Sequence, residues 1–188
     1  MSERVFTIAN QLTLLRMALA PVLVVFVLSR QPGWALGAFV LAGLSDAFDG
    51  LVARRGGQQT TLGAMLDPVA DKILLGSTYI VLTWSGTVAC PIPVWLTVTL
   101  LSRDAITIVS VAVINLTVGR RVFAPSLLGK TTTGAQILTA ALVLLANALG
   151  RCPDELGSVF RILCALIVVS AVHYTFWARL RPSEPGPP

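Results

Sequence analysis

The chain has 188 residues, of which 55% are hydrophobic and only 12% are charged, and its mean hydropathy is +0.80. Soluble domains contain roughly 45–50% apolar and ~25% charged residues, so the composition excludes an ordinary soluble domain and indicates an integral membrane protein. The length suits a single helical bundle. We expect one domain over residues 1–180 and a loose Pro-rich tail over 181–188.

The net charge of +5 does not indicate nucleic-acid binding, because the basic residues lie at the ends of apolar runs. That placement fits membrane topology and contact with anionic lipid headgroups. Three cysteines without a Cys-x-x-Cys pair, and a single histidine, give no support for zinc or thiol chemistry. A phospholipase-D-like transferase is also excluded, since it acts through paired His-containing motifs.

Apolar windows of ~20 residues predict six membrane-spanning helices, at about residues 10–28, 34–54, 62–84, 93–116, 132–149 and 158–178. The predicted fold is all-α, because lipid-exposed backbone must satisfy its own hydrogen bonds and no alternating barrel strands occur. An even number of spans places both termini on one side of the membrane. That side collects most of the basic residues and is therefore predicted to be cytoplasmic, in a bacterial inner or plasma membrane.

On the opposite side of the membrane, Cys90 and Cys152 fall in the loops before the fourth and sixth helices, whereas Cys164 lies within a span. Whether Cys90 and Cys152 are oxidised to each other stays open. His173, near the cytoplasmic end of the last helix, is interpreted as a polar bundle residue and not as a catalyst.

Four of the nine acidic residues lie in two neighbouring predicted helices: Asp46, Asp49, Asp67 and Asp71. An unpaired carboxylate at mid-bilayer costs at least ~2.5–3.5 kcal/mol, so these positions indicate a functional site. Helical periodicity places the first pair on one face with Gly50, Ala53 and Arg54, and the second pair on one face with Gly63. The polar hinge 55–62 is short enough to fold the two helices antiparallel, so that the four carboxylates meet and open toward the cytoplasm.

Oxygen-only ligands suit a hard cation, and the pattern therefore predicts Mg²⁺ or Mn²⁺. Gly50 and Gly63 leave space for a bulky ligand at the helix surface, and Arg54 supplies a forked donor suited to phosphate. For a lone Asp-x-x-Asp, a solvated helix face or an N-cap would be the favoured interpretation.

Other polar residues interrupt apolar helices. Asn10, Thr13 and Arg16 recur along the first helix, where capping or snorkelling is the alternative to a site. Arg103, with Asp104 beside it, must face the bundle or a wet cavity, either in a structural network or against substrate. Lys130 is placed either for an anionic headgroup or to set topology.

The complete pattern Asp-x2-Asp-Gly-x2-Ala-Arg-x8-Gly-x3-Asp-x3-Asp, from Asp46 to Asp71, resembles the motif of the CDP-alcohol phosphatidyltransferase family without a departure. The resemblance implies transfer of a phosphatidyl group from CDP-diacylglycerol to an alcohol, with release of CMP. It implies that the four aspartates hold one or two Mg²⁺ (or Mn²⁺) ions, two being expected, and that Asp71 is also the general base. The residues expected to bind the CDP-lipid are Asn10, Thr13, Asp46, Gly50, Ala53, Arg54 and Gly63.

Segments 58–63, 66–68, 92–95 and 101–104 resemble the branch containing phosphatidylglycerophosphate synthase and CMP-forming cardiolipin synthase. The implied acceptor is then glycerol 3-phosphate or phosphatidylglycerol, and we expect Arg103 and Lys130 to bind it. Of the two enzymes, the triplet Ser102-Arg103-Asp104 resembles cardiolipin synthase slightly more. Membrane lipids are expected partners, and a homodimer is compatible with the pattern. Two alternatives stay open at this point: a membrane prenyltransferase acting on a lipid diphosphate, and a cation transporter.

Overall fold

The computed structural model describes residues 8–56, 61–84, 86, 88–117 and 127–180, with side chains at 11, 13–46, 69–84, 86, 88–109 and 128–173. These residues form six α-helices and no strand, which confirms the predicted all-α fold. The helices are α1 (Ile8–Leu28), α2 (Pro32–Gly56), α3 (Thr61–Thr83), α4 (Val94–Thr117), α5 (Leu127–Ala148) and α6 (Leu156–Leu180). The middle of the expected hinge and the expected tail lie outside the described residues.

The largest difference from the predicted helix limits is at the start of α5, which begins at Leu127 and not near 132. The first turns of α5 contain three consecutive threonines, at 131–133. Their hydroxyls donate to carbonyls one turn earlier, Thr132 to Leu128 at 2.7 Å and Thr133 to Gly129 at 3.1 Å. Because these hydroxyls are satisfied by the helix itself, the helix extends through them.

Two helices contain windows long and apolar enough to cross a membrane, Leu128–Ala148 in α5 and Leu156–His173 in α6. The other four do not meet that criterion over the described residues. The described stretch Thr13–Leu28 of α1 is apolar but shorter than this criterion requires. That α1 to α4 also span the bilayer therefore stays a prediction.

The most extensive helix contacts in the bundle are those of α1 with α2 and α3. Small buried residues, among them Ala20 of α1 and Ala35 and Ala42 of α2, let helix backbones approach closely. Helix α5 packs on α2 and α3, and α6 packs on α4 and α5. Large apolar side chains such as Ile106 and Ile162 are exposed on the outer helices, as expected of a surface that faces lipid.

A disulfide between Cys90 and Cys152 joins the α3–α4 loop to the α5–α6 loop, with the two Cα atoms 5.3 Å apart. The side chain of Asn147 also binds the backbone of Cys90. Its Oδ1 accepts from Cys90 N at 2.9 Å, and its Nδ2 donates to Cys90 O at 3.0 Å. The question that the sequence left open is thus answered by a paired disulfide. Cys164 is a free thiol.

Two helices end in left-handed caps on this same side of the bundle. Arg30, with φ 58°, follows α1, and Gly150, with φ 64°, follows α5. Each cap is closed by a backbone bond from the next residue, Gln31 N to Phe26 O at 2.9 Å and Arg151 N to Ala146 O at 3.0 Å. These caps and the disulfide fix the end of the bundle opposite the acidic motif.

Candidate active site

One guanidinium joins the two halves of the acidic motif. Arg16 of α1 donates from Nη1 to Asp71 Oδ1 of α3 at 2.5 Å, and its Nη2 lies 2.7 Å from Asp46 Oδ1 of α2. The second contact is an ion pair without hydrogen-bond alignment, since Nη2 has no hydrogen-bond partner. Side chains of α1, α2 and α3 therefore meet at the guanidinium group of Arg16.

The three side chains differ sharply in exposure. Arg16 is 1% exposed, whereas the side chains of Asp46 and Asp71 are 53% and 42% exposed. The guanidinium thus lies beneath the carboxylates, on the bundle side. All three line a cavity of about 50 Å³, whose remaining wall is largely apolar and includes Phe39 of α2 and Ile137 of α5.

The antiparallel pairing of two acidic helices was predicted to bring the aspartates together, and the structure places Asp46 and Asp71 on the same partner. Asp49 on α2 and Asp67 on α3 lie about one helical turn from them on the same faces. Their side chains are outside the described set. Among the described side chains, no three His, Cys, Asp or Glu residues come together. The four-carboxylate metal site therefore stays a prediction.

The residues expected to bind the CDP-lipid lie on the same three helices, with Asn10 on α1, Gly50, Ala53 and Arg54 on α2, and Gly63 on α3. For these five residues the structure describes the helix positions but not the side chains. Thr13 is described and is fully buried, about one turn before Arg16 on α1.

A second ionic network lies on the neighbouring side of α3. Lys72 Nζ lies 2.5 Å from Asp104 Oδ1 of α4, and the same oxygen accepts from Arg103 Nη1 at 3.0 Å. Arg103 Nη2 also donates to Ser170 Oγ of α6 at 3.4 Å. The network ties α3, α4 and α6 together. Arg103 therefore has protein partners, and its contact with an acceptor stays a prediction.

The other expected acceptor residue, Lys130, is exposed near the beginning of α5. One helical turn and a half further along this helix, the side chain of Gln136 is fully buried. Its amide nitrogen and oxygen have no hydrogen-bond partner, although its backbone carbonyl accepts from Tyr79 Oη at 3.0 Å. Sequence reasoning did not single out Gln136 or the pairing of Lys72. The feature of the sequence that could have identified both residues is a polar side chain within an apolar helix.

Comparison with known proteins places this site in a family. The model of the family described as CDP-alcohol phosphatidyltransferase matches residues 6–178. The CMP-forming cardiolipin synthase of Streptomyces coelicolor is 35% identical over 158 residues, covering 79% of this chain and 70% of that protein. The chain therefore belongs to the CDP-alcohol phosphatidyltransferase family and is an enzyme of phospholipid synthesis.

Two further relatives carry the two names of the branch that the motif segments resemble. The probable phosphatidylglycerophosphate synthase of Mycobacterium tuberculosis is 37% identical over 151 residues, covering 76% of this chain and 68% of that protein. The CMP-forming cardiolipin synthase of Homo sapiens is 44% identical over 110 residues, covering 58% of this chain and 35% of that protein. The prenyltransferase and transporter alternatives are set aside.

Proposed function

We propose that this enzyme transfers a phosphatidyl group from CDP-diacylglycerol to a glycerol-type acceptor and releases CMP. The acceptor is either phosphatidylglycerol, giving cardiolipin, or glycerol 3-phosphate, giving phosphatidylglycerophosphate. Family membership supports the reaction class. Relatives bearing either name match at similar identity, 35% and 37%, so the acceptor must be decided by experiment.

The observation that carries the site is the convergence of Asp46 and Asp71, from two helices, on one cavity. Both carboxylates are half-exposed, and an oxygen-only donor set fits a hard divalent cation. We infer that Asp46, Asp49, Asp67 and Asp71 hold one or two such ions, Mg²⁺ or Mn²⁺. A cation bound there would neutralise charge on the transferring phosphate and on the leaving oxygen.

The chain's own groups then have separate roles. Asp71 takes the proton of the acceptor hydroxyl onto its carboxylate, as a general base. Arg54 donates to a phosphate of the CDP-lipid, and Gly50, Ala53 and Gly63 leave room for it. Asn10 and Thr13 border the same pocket from α1. Arg103 and Lys130 contact the acceptor.

The proposed orientation places both termini and the active site in the cytoplasm. The Lys and Arg distribution supports it. The Cys90–Cys152 disulfide adds independent support, because disulfides persist in oxidising compartments and this one lies at the end opposite the acidic motif. We extend the proposal to six membrane-spanning helices in one domain over residues 1–180.

The deciding experiment incubates the purified protein with CDP-diacylglycerol and Mg²⁺, and with phosphatidylglycerol, glycerol 3-phosphate or inositol in separate reactions. Lipid products are identified by mass spectrometry. Cardiolipin from the first reaction, or phosphatidylglycerophosphate from the second, is the expected result together with CMP. A product with inositol but with neither glycerol-type acceptor would overturn the proposed substrate class.

A further inference from the structure

Arg16 is the largest fully buried polar side chain at the candidate site. It contacts the Oδ1 atom of each of two carboxylates, at 2.7 Å for Asp46 and 2.5 Å for Asp71. A guanidinium presents its donors in a rigid planar fork, so one side chain can fix two carboxylates relative to each other. An ammonium group, as a single point charge, does this less well.

We propose that Arg16 is a positioning residue that holds Asp46 and Asp71 in the arrangement that binds the divalent cation, and that it remains beneath the bound cation. This inference rests on the proposed function, because it takes the two aspartates as metal ligands. It assigns Arg16 no contact with substrate.

The exposure of the three side chains argues that Arg16 stays in place. The guanidinium is 1% exposed, while the two carboxylates are about half exposed, so a cation can reach them from the side away from Arg16. The cavity that they share has about 50 Å³, enough for a few small species such as water.

The charges of the three side chains also support the conclusion that Arg16 remains beneath the bound cation. Asp46 and Asp71 carry like charges that converge in a largely apolar bundle, and such a pair needs a compensating cation. Arg16 supplies one positive charge whether or not a metal is bound. It therefore keeps both helices in register while the cation exchanges, and the two carboxylates retain a net negative charge toward that cation.

The test measures binding of Mn²⁺ alone, by electron paramagnetic resonance, to the full-length protein in detergent without substrates. The variants are Arg16→Gln and Arg16→Lys, and Arg30→Gln is the matched control. Arg30 lies at the other end of the bundle, where it donates to Gly86 O at 3.1 Å. Circular dichroism and a melting curve without metal report whether each variant is folded. Arg16→Lys keeps the positive charge between the carboxylates, so it remains informative if Arg16→Gln does not fold.

We expect both Arg16 variants to weaken Mn²⁺ binding by roughly tenfold or more, the range typical for residues that orient metal ligands. Arg30→Gln should bind as the wild type does. Tighter Mn²⁺ binding in Arg16→Gln would mean that Arg16 competes with the cation, which overturns the inference. A folded Arg16→Lys with unchanged affinity would also overturn it, leaving the proposed function standing. Absence of Mn²⁺ binding in the wild type would instead reject the proposed metal site itself.

Discussion

Asp71 and Lys72 are consecutive residues of α3, and each is paired with an opposite charge on a different helix. Asp71 contacts Arg16 of α1, and Lys72 contacts Asp104 of α4. Consecutive side chains on a helix diverge by roughly 100°, so the two ion pairs fix the rotation of α3 about its axis. The direction of the Asp71 carboxylate therefore depends on a network on the neighbouring side of its own helix.

Removing the shared carboxylate of that network should destabilise the protein. Asp104→Asn leaves Lys72 and Arg103 without their anionic partner between helices, and breaking a buried pair in this way costs about 3–5 kcal/mol. Thermal unfolding in detergent should show a clear drop in melting temperature. Asp154→Asn, in the exposed α5–α6 loop, is the matched control and should melt like the wild type. An unchanged melting temperature for Asp104→Asn would show that the network does not hold α3.

Transfer should depend on a divalent cation. Excess EDTA should abolish product formation, and Asp67→Asn should lower kcat by about 10²-fold or more, because a lost metal ligand removes several kcal/mol of charge stabilisation. Melting curves should show that Asp67→Asn remains folded. Full activity in excess EDTA would rule out the two-helix metal site.

Two basic residues should each contribute to the binding of a different substrate, one to the donor and the other to the acceptor. Arg54 shares a helix face with Asp46, whereas Lys130 comes from α5 and is exposed. A charge-assisted contact with phosphate is worth about 1.5–3 kcal/mol, or roughly tenfold or more in binding. Arg54→Ala should therefore raise KM for CDP-diacylglycerol, and Lys130→Ala should raise KM for the acceptor. Steady-state kinetics that show equal increases for both substrates in both variants would refute this division.

The disulfide should be protected from thiol reagents and should add stability. An impermeant maleimide applied to intact cells should label neither Cys90 nor Cys152 until a reductant is added, and should then label both from outside. Cys90→Ser should lower the free energy of unfolding by about 2–4 kcal/mol, since it opens a long covalent loop. A cysteine introduced at Gly57 should stay unlabelled. Labelling at position 57 but at neither native cysteine after reduction would reverse the orientation.

The unpartnered amide of Gln136 should cost stability. A buried polar group without a hydrogen bond carries a penalty of about 1–3 kcal/mol, and an unbranched apolar side chain of similar size removes it. Gln136→Met should therefore raise the melting temperature. Thr139→Val is a useful comparison, because the Thr139 hydroxyl already donates to Ala135 O at 2.8 Å. A lower melting temperature for Gln136→Met would show that the amide is satisfied in the membrane, for example by water.

Much of the helical fold could be predicted from the chain because each helix coincides with an apolar run bounded by polar or Pro-containing segments. The approach of Asp46 and Asp71 was also predictable, since helical periodicity and an antiparallel turn determine it. The role of Arg16 was not, because a residue on α1 reaches both aspartates only for one particular packing of three helices. The pairing of Lys72 with Asp104 depends on helix rotation in the same way.

The disulfide shows the same limit of sequence reasoning. The two cysteines could be assigned to loops on one side of the membrane, but pairing requires Cα atoms within about 7 Å. The observed 5.3 Å depends on how the helices that carry the two loops pack together, which the spacing of 62 residues along the chain does not specify.

The Cys90–Cys152 bond encloses the whole of α4 and α5 within one covalent loop. If α4 and α5 both span the membrane as proposed, Cys90 and Cys152 lie in different compartments whenever only one of the two helices has crossed. Under the proposed topology, formation of the disulfide thus excludes a chain in which a single one of these helices has crossed. A chain with only one of these helices across the membrane would therefore keep two free thiols, which an impermeant thiol reagent can detect on one side.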